Sequence, residues 1–126
     1  NLADDIRQVI KNAEDSTKDF TDSKLYIAYN YGGQWDILNA VKSLVQKNYS
    51  LTSDNLKDHL STTDDFPDLI VRTGGYKRLS NFMLWQSSYS ELEFLDTLWP
   101  EISEHDIKQI FEKHINTKRN FGRIKK

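Results

Sequence analysis

Residues 68–80 read DLIVRTGGYKRLS, and the fold turns on how this stretch is read. Leu69-Ile70-Val71 is an unbroken apolar run with no polar alternation, as expected of a strand covered on both faces. Such strands belong to parallel sheets with helices packed above and below. The run stops at Arg72, and Thr73 to Ser80 holds two glycines and no apolar period, which predicts a loop. In open parallel sheets, ligands bind just beyond the carboxyl ends of the strands. The segment after Arg72 is therefore the first place to look for chemistry.

On the carboxyl side, Phe82 to Tyr89 is compatible with a helix and Leu92 to Leu95 with a short strand. The last helix has a clear start: Ser103 and Asp106 form a capping box, with Ile102 and Ile107 placed for a hydrophobic staple. Ile107, Ile110, Phe111, His114 and Ile115 then share the face expected to be buried. On the amino side, residues 61 to 67 form a polar loop ending at Pro67. Before it, Thr52 or Ser53 caps a short helix carrying Leu56 and Leu60. Ile37, Leu38, Val41, Leu44 and Val45 recur at the helical period, to about Asn48. Lys24 to Asn30 (KLYIAYN) reads as a strand, broken by Gly32-Gly33. Leu2, Ile6, Val9, Ile10 and Ala13 predict an amphipathic helix over residues 2 to 14.

Strand and helix in alternation imply an α/β fold, a mainly parallel sheet flanked by helices. With 126 residues there is room for one domain, residues 1–126, and one core. So few strands leave one sheet edge bare. The chain opens on Asn1, not methionine, and enters an amphipathic pattern at once, with no signal peptide. That predicts a cut inside a longer protein, whose missing N-terminal part would cover the bare edge.

Composition narrows the function classes. Hydrophobic residues at 37% and charged residues at 29% describe a globular chain, not a disordered one. A net charge of -2 gives no overall attraction to nucleic acid or anionic lipid, so any anion site must be local. Absence of cysteine removes disulfides and thiolate zinc sites, and permits a reducing compartment. The longest apolar run falls far short of the roughly 20 residues a spanning helix needs. The basic end, Lys118 to Lys126, reads first as a solvated tail.

Two strand ends carry candidate chemistry. Asn30-Tyr31-Gly32-Gly33 turns a strand into a helix across two glycines, where backbone N–H groups near a helix N-terminus favour anions. A tight turn alone would also explain it. Arg72 to Ser80 places Arg72, Lys77, Arg78 and two aliphatic hydroxyls in nine residues. Guanidinium forks match paired phosphate oxygens. The same arginines could equally pair with Asp64, Asp65 or Asp68. Farther on lies Glu91, a carboxylate of the kind that holds Mg²⁺ beside a diphosphate. His59, His105 and His114 have no metal-site spacing. Trp35, Trp85 and Trp99 read as core or interface residues.

Pro67 to Leu92 (PDLIVRTGGYKRLSNFMLWQSSYSEL), with Asp96-Thr97-Leu98-Trp99-Pro100, closely resembles the signature of the cis-prenyltransferases, the undecaprenyl diphosphate synthase type. Asn30-Tyr31-Gly32-Gly33, with Asp36-Ile37 and Ala40, resembles that family's second block. Arg119-Asn120-Phe121-Gly122 resembles its C-terminal end. The resemblance implies an undecaprenyl diphosphate synthase-like fold, truncated on the N-terminal side. It implies a Mg²⁺-dependent enzyme that adds isopentenyl diphosphate to an allylic diphosphate such as farnesyl diphosphate, forming cis double bonds. Arg72, Arg78, Leu79 and Ser80 would then hold the isopentenyl diphosphate, and Glu91 the metal, from a partner subunit or through the ion. It further implies a cytoplasmic homodimer, touching membrane only peripherally through its lipid product.

The departures matter too. The family's Asp-Gly-Asn block, source of the catalytic aspartate and the allylic cradle, is absent here, so the chain alone is expected not to elongate. Where the family commonly has arginine after the second-block glycines, this chain has Gln34. Where it commonly has glutamate after Gly75, this chain has Tyr76. At the end, Asn120-Phe121-Gly122 stands where Arg-x-Gly is frequent, with Arg119 or Arg123 as possible substitutes. A non-catalytic accessory subunit is the alternative, but retention of Arg72, Arg78 and Ser80 argues against it.

Overall fold

The structure is a computed structural model and describes residues 2–62 and 66–118. Its core forms where apolar helical spacing meets a short second helix. The first helix, α1, spans Asp4–Thr17, and α2 spans Gly33–Gln46. The third, α3, covers Ser53–Lys57, started by Thr52, whose side chain accepts from the Asn55 N–H. Ala40 and Leu44 of α2 pack on Leu56 and Leu60, with Ile37, Val41, Phe66 and Trp85 around them. Each buried leucine contributes roughly 1.5–3 kcal/mol.

The sheet is one parallel pair among the described residues. Strand β1, Leu69–Arg72, runs beside β2, Glu91–Phe94, in the register Leu69↔Glu91 to Arg72↔Phe94. The chain returns from the end of β1 to the start of β2 through residues 73–90, a crossover that parallel pairing demands. Beyond β2 a 3-10 turn, Trp99–Glu101, leads to α4, Glu104–Asn116. The expected capping box is present, with Ser103 and Asp106 each bonded to the other's backbone N–H. These bonds, not burial, hold the Asp106 carboxyl below its usual pKa.

Several expectations need correction. Residues 24–30 form no strand, and the backbone bends at Tyr29 and Asn30, the latter with φ of 51°. A strand requires a neighbour to complete its hydrogen bonds, and none of the described segments runs beside this one. Leu25 and Ile27 stand 86% and 83% exposed. Residues 82–89 form successive turns and not a helix. Ser80, Asn81 and Met83 all have positive φ, of 48°, 64° and 45°, which no right-handed helix accommodates. On α4 only Ile110 is buried, while Ile107, Phe111 and Ile115 are exposed. Trp35 and Trp99 are exposed as well. No helix among the described residues is long and apolar enough to cross a membrane.

Candidate functional site

The carboxyl end of β1 opens into a cavity of about 330 Å³ lined by Ile70, Val71, Arg72, Arg78, Leu79, Ser80 and Phe82. All four residues that the sequence singled out for diphosphate, Arg72, Arg78, Leu79 and Ser80, are among them. Two glycines let the chain fold back here, because Gly74 and Gly75 adopt φ of 86° and 78°. Their N–H groups are donated to the Thr97 and Leu95 carbonyls, 2.9 Å each, which ties the loop to the exit of β2.

Arg72 organises the cavity. Its Nη1 donates to the Ser80 hydroxyl at 2.7 Å and to the Arg78 carbonyl. The Arg78 guanidinium lies 4.3 Å from the Tyr76 ring centroid and makes no hydrogen bond among the described residues. Neither arginine forms an ion pair with a described carboxylate. Asp68, one candidate neutraliser, begins the approach to β1 at the opposite end of the strand. Asp64 and Asp65 lie outside the described residues. What remains is a partly apolar cavity with two cationic forks and a hydroxyl.

The loop that carries Ser80 is clamped onto the N-terminus of α2. The Asn81 carbonyl accepts from Gly33 N–H at 2.6 Å, and its side-chain Oδ1 accepts from Gln34 N–H at 2.9 Å. The N–H groups of Gly33 and Gln34, which would have faced an anion at this helix start, are therefore spent on Asn81, and the glycines serve close approach. A Cβ on Gly33 would stand 2.9 Å from the backbone nitrogen and Cγ of Leu84, whereas one on Gly32 would meet only the Asn81 amide, at 2.8 Å. Gly33→Ala is thus expected to be the costlier change, about 2–3 kcal/mol, since backbone must move. Gly32→Ala should cost well under half as much. Guanidinium unfolding of both variants checks the order, and equal midpoints would refute the clamp. Asn30 lines a separate cavity of about 720 Å³ with Leu2, Arg7, Tyr29, Tyr31, Gly32 and Trp35.

Behind the clamp lies a polar network that the sequence did not reveal. Asp36 of α2 is only 1% exposed and Gln86 only 2%. Asp36 Oδ2 accepts from Tyr31 OH at 2.9 Å and from Gln86 Nε2 at 3.0 Å, and Oδ1 accepts from Ser61 N–H at 2.8 Å. Gln86 Nε2 also reaches Thr62 Oγ1, at 3.0 Å. Burial acts to raise the Asp36 pKa, but the bonds from Ser61, Gln86 and Tyr31 outweigh it and hold the carboxyl below its usual value. Burial and the neighbouring Asp36 push the Tyr31 phenol up to about 12.

Glu91 lies elsewhere. It pairs with Leu69 at the start of β2, while Arg72 pairs with Phe94 at the far end. Three residues of strand put it roughly 10 Å from the arginine end. Its N–H donates to Asp68 at 2.9 Å. Nearer the loop is Asp96, whose Oδ1 would be 3.5 Å from a Cβ on Gly75. Among the described residues no three His, Asp or Glu side chains converge on a metal position. The C-terminal motif residues, Arg119 to Gly122 and Arg123, lie outside the described residues.

Residues 1–122 match a family model described as "Putative undecaprenyl diphosphate synthase". A farnesyl-diphosphate-specific undecaprenyl-diphosphate synthase of Buchnera aphidicola is 40% identical over 96% of this chain and 51% of its own length. Among solved structures, a probable undecaprenyl diphosphate synthase from Campylobacter jejuni superposes with a TM-score of 0.89 at 36% identity, over 98% of this chain and 59% of that one. Lavandulyl diphosphate synthase from Lavandula x intermedia, solved with dimethylallyl diphosphate, gives a TM-score of 0.87 at 29% identity, over 98% and 56%. The chain spans about half the length of the curated relatives it matches.

Proposed function

Because this chain belongs to the undecaprenyl diphosphate synthase family of prenyltransferases, we propose that its arginine cavity is the isopentenyl diphosphate site of a cis-prenyltransferase. The observation that carries the reading is the convergence of Arg72, Arg78 and Ser80 on one cavity, with both guanidinium groups unpaired with carboxylate among the described residues. Two forks and a hydroxyl offer a diphosphate charge-assisted donors from several directions. The apolar lining from Ile70, Leu79 and Phe82 suits the five-carbon tail. Condensation with an allylic diphosphate such as farnesyl diphosphate requires both substrates to be fixed in register, and this chain's contribution is to hold and orient one of them.

Magnesium enters the proposal through Glu91. The cavity lining holds no carboxylate, so a single copy does not fit the ion. The Glu91 carboxylate would meet a bound diphosphate only from a second copy, in keeping with a homodimeric, cytoplasmic enzyme that meets membrane only through its product. The metal would neutralise charge on the diphosphate oxygens.

Calorimetric titration of this chain with isopentenyl diphosphate tests the site. Arg78→Ala is expected to weaken binding about ten- to hundredfold, the value of one charge-assisted contact, while far-ultraviolet circular dichroism stays unchanged. Affinity equal to wild type would remove Arg78 from the site. In the same titrations, Glu91→Gln should shift the Mg²⁺ dependence if copies share the metal, and an identical magnesium curve would take Glu91 out of the proposal.

A further inference from the structure

Tyr76 occupies a position that the proposed function leaves unexplained. It is 57% exposed, so burial does not account for an aromatic residue there. Its ring lies against both site arginines, 4.3 Å from Arg78 Cζ and 6.0 Å from Arg72 Cζ, measured to the centroid. The Arg78 N–H donates to the Tyr76 carbonyl at 3.2 Å, so side chain and backbone are held in one tight turn.

The two ways of steadying an arginine differ in what they leave free. A carboxylate takes the in-plane N–H groups, which are the same donors a diphosphate needs. An aromatic ring engages the guanidinium through its face and leaves the in-plane fork untouched. The related family commonly has glutamate at this position, and this chain does not. Arg72 spends Nη1 on Ser80 and the Arg78 carbonyl, which fixes it already. The Arg78 guanidinium makes no hydrogen bond among the described residues, and Tyr76 is its one described side-chain partner.

We infer that Tyr76 is a positioning residue, an aromatic platform that holds Arg78 toward the cavity while leaving its full set of donors for the incoming diphosphate. The inference rests on the diphosphate reading of the cavity and deepens it. Tyr76 touches the arginine and not the substrate. The hydroxyl has no part in it, so the ring alone should suffice.

Pyrophosphate titrated calorimetrically into this chain, without added metal, separates the possibilities. Tyr76→Phe should bind within about twofold of wild type, whereas Tyr76→Leu, similarly apolar but without the ring, should bind about two- to fivefold more weakly. Tyr76→Glu should bind more weakly still, because its carboxylate competes for the Arg78 fork. Tyr76→Leu equal to wild type, or Tyr76→Phe as weak as Tyr76→Leu, would overturn the platform. If Arg78→Ala then still weakens binding, the diphosphate site stands without it. Absence of pyrophosphate binding by the wild-type chain would end both readings together.

Discussion

Asp36→Ala is expected to destabilise the fold by about 3 kcal/mol and to reduce diphosphate binding at the arginine cavity by at least tenfold, although Asp36 lines no part of that cavity. The loss has two components. Removing the carboxylate leaves Ser61 N–H, Tyr31 OH and Gln86 Nε2 without their shared acceptor in a buried place. Stranded buried donors cost about 1–3 kcal/mol each, and not additively. The binding loss follows from where Gln86 sits. Its bond to Asp36 anchors one end of the 80–86 loop to α2, and Asn81 anchors the other. Ser80, adjacent to Asn81, has a left-handed backbone, φ 48°, which is expected to relax once one anchor is lost. Denaturant unfolding paired with pyrophosphate calorimetry reads both effects. A variant that loses stability but binds normally would show that the network supports the core and not the site.

The same network sets a pH signature. The folded-state pKa of Asp36 lies below its ordinary value, so its contribution is fully present above about pH 4 and disappears as pH falls through the lowered value. Tyr31 runs the other way. Its folded-state pKa is raised to about 12, so its neutral form stabilises the fold below about pH 10, and that contribution is lost as pH rises toward 12. In an ultraviolet titration of phenolate, Asp36→Ala should move this late step back toward 10, because one of its causes is gone.

Legibility in the sequence followed sequence distance. Arg72, Arg78 and Ser80 could be read together because one strand end and the loop after it hold them, so local composition was enough. The Ser103–Asp106 capping box was readable for the same reason. Asp36 and Gln86 are fifty residues apart, and nothing local to either marks a buried charge with three donors. The turns at 80–89 escaped because residues such as Met83 give no warning of a positive φ, unlike the Gly74-Gly75 pair. Residues 24–30 have strand composition, but composition supplies no partner. The stacking of Tyr76 on Arg78 looked, as sequence, like mere departure from a family pattern.

The exposed apolar residues of the 20–29 segment lead to the other large effect. Supplied with isopentenyl and farnesyl diphosphates and Mg²⁺, this chain alone is expected to make no detectable polyprenyl product, more than about a thousandfold below an intact family member. Its arginine cavity would hold one reactant, and the Asp-Gly-Asn block that the family resemblance assigns to the other is not among residues 1–126. Phe20, Leu25, Tyr26, Ile27 and Tyr29 are all exposed within ten residues of chain, and Ile6, Val9 and Ile10 of α1 are exposed as well. An apolar patch of this extent marks a surface made to be covered. Relatives about twice as long contain a further half that residues 1–126 do not span, and a strand from such a half laid along residues 24–30 would cover these side chains. Co-purifying this chain with a second polypeptide that carries a relative's remaining half should give an equimolar complex and restore incorporation of labelled isopentenyl diphosphate. Substituting Leu25 and Ile27 by aspartate should abolish both, while leaving pyrophosphate binding at the arginine cavity within about twofold. Elongation by the lone chain would show that the described residues already hold both substrates. Complex formation undisturbed by the aspartates would place the seam on another face.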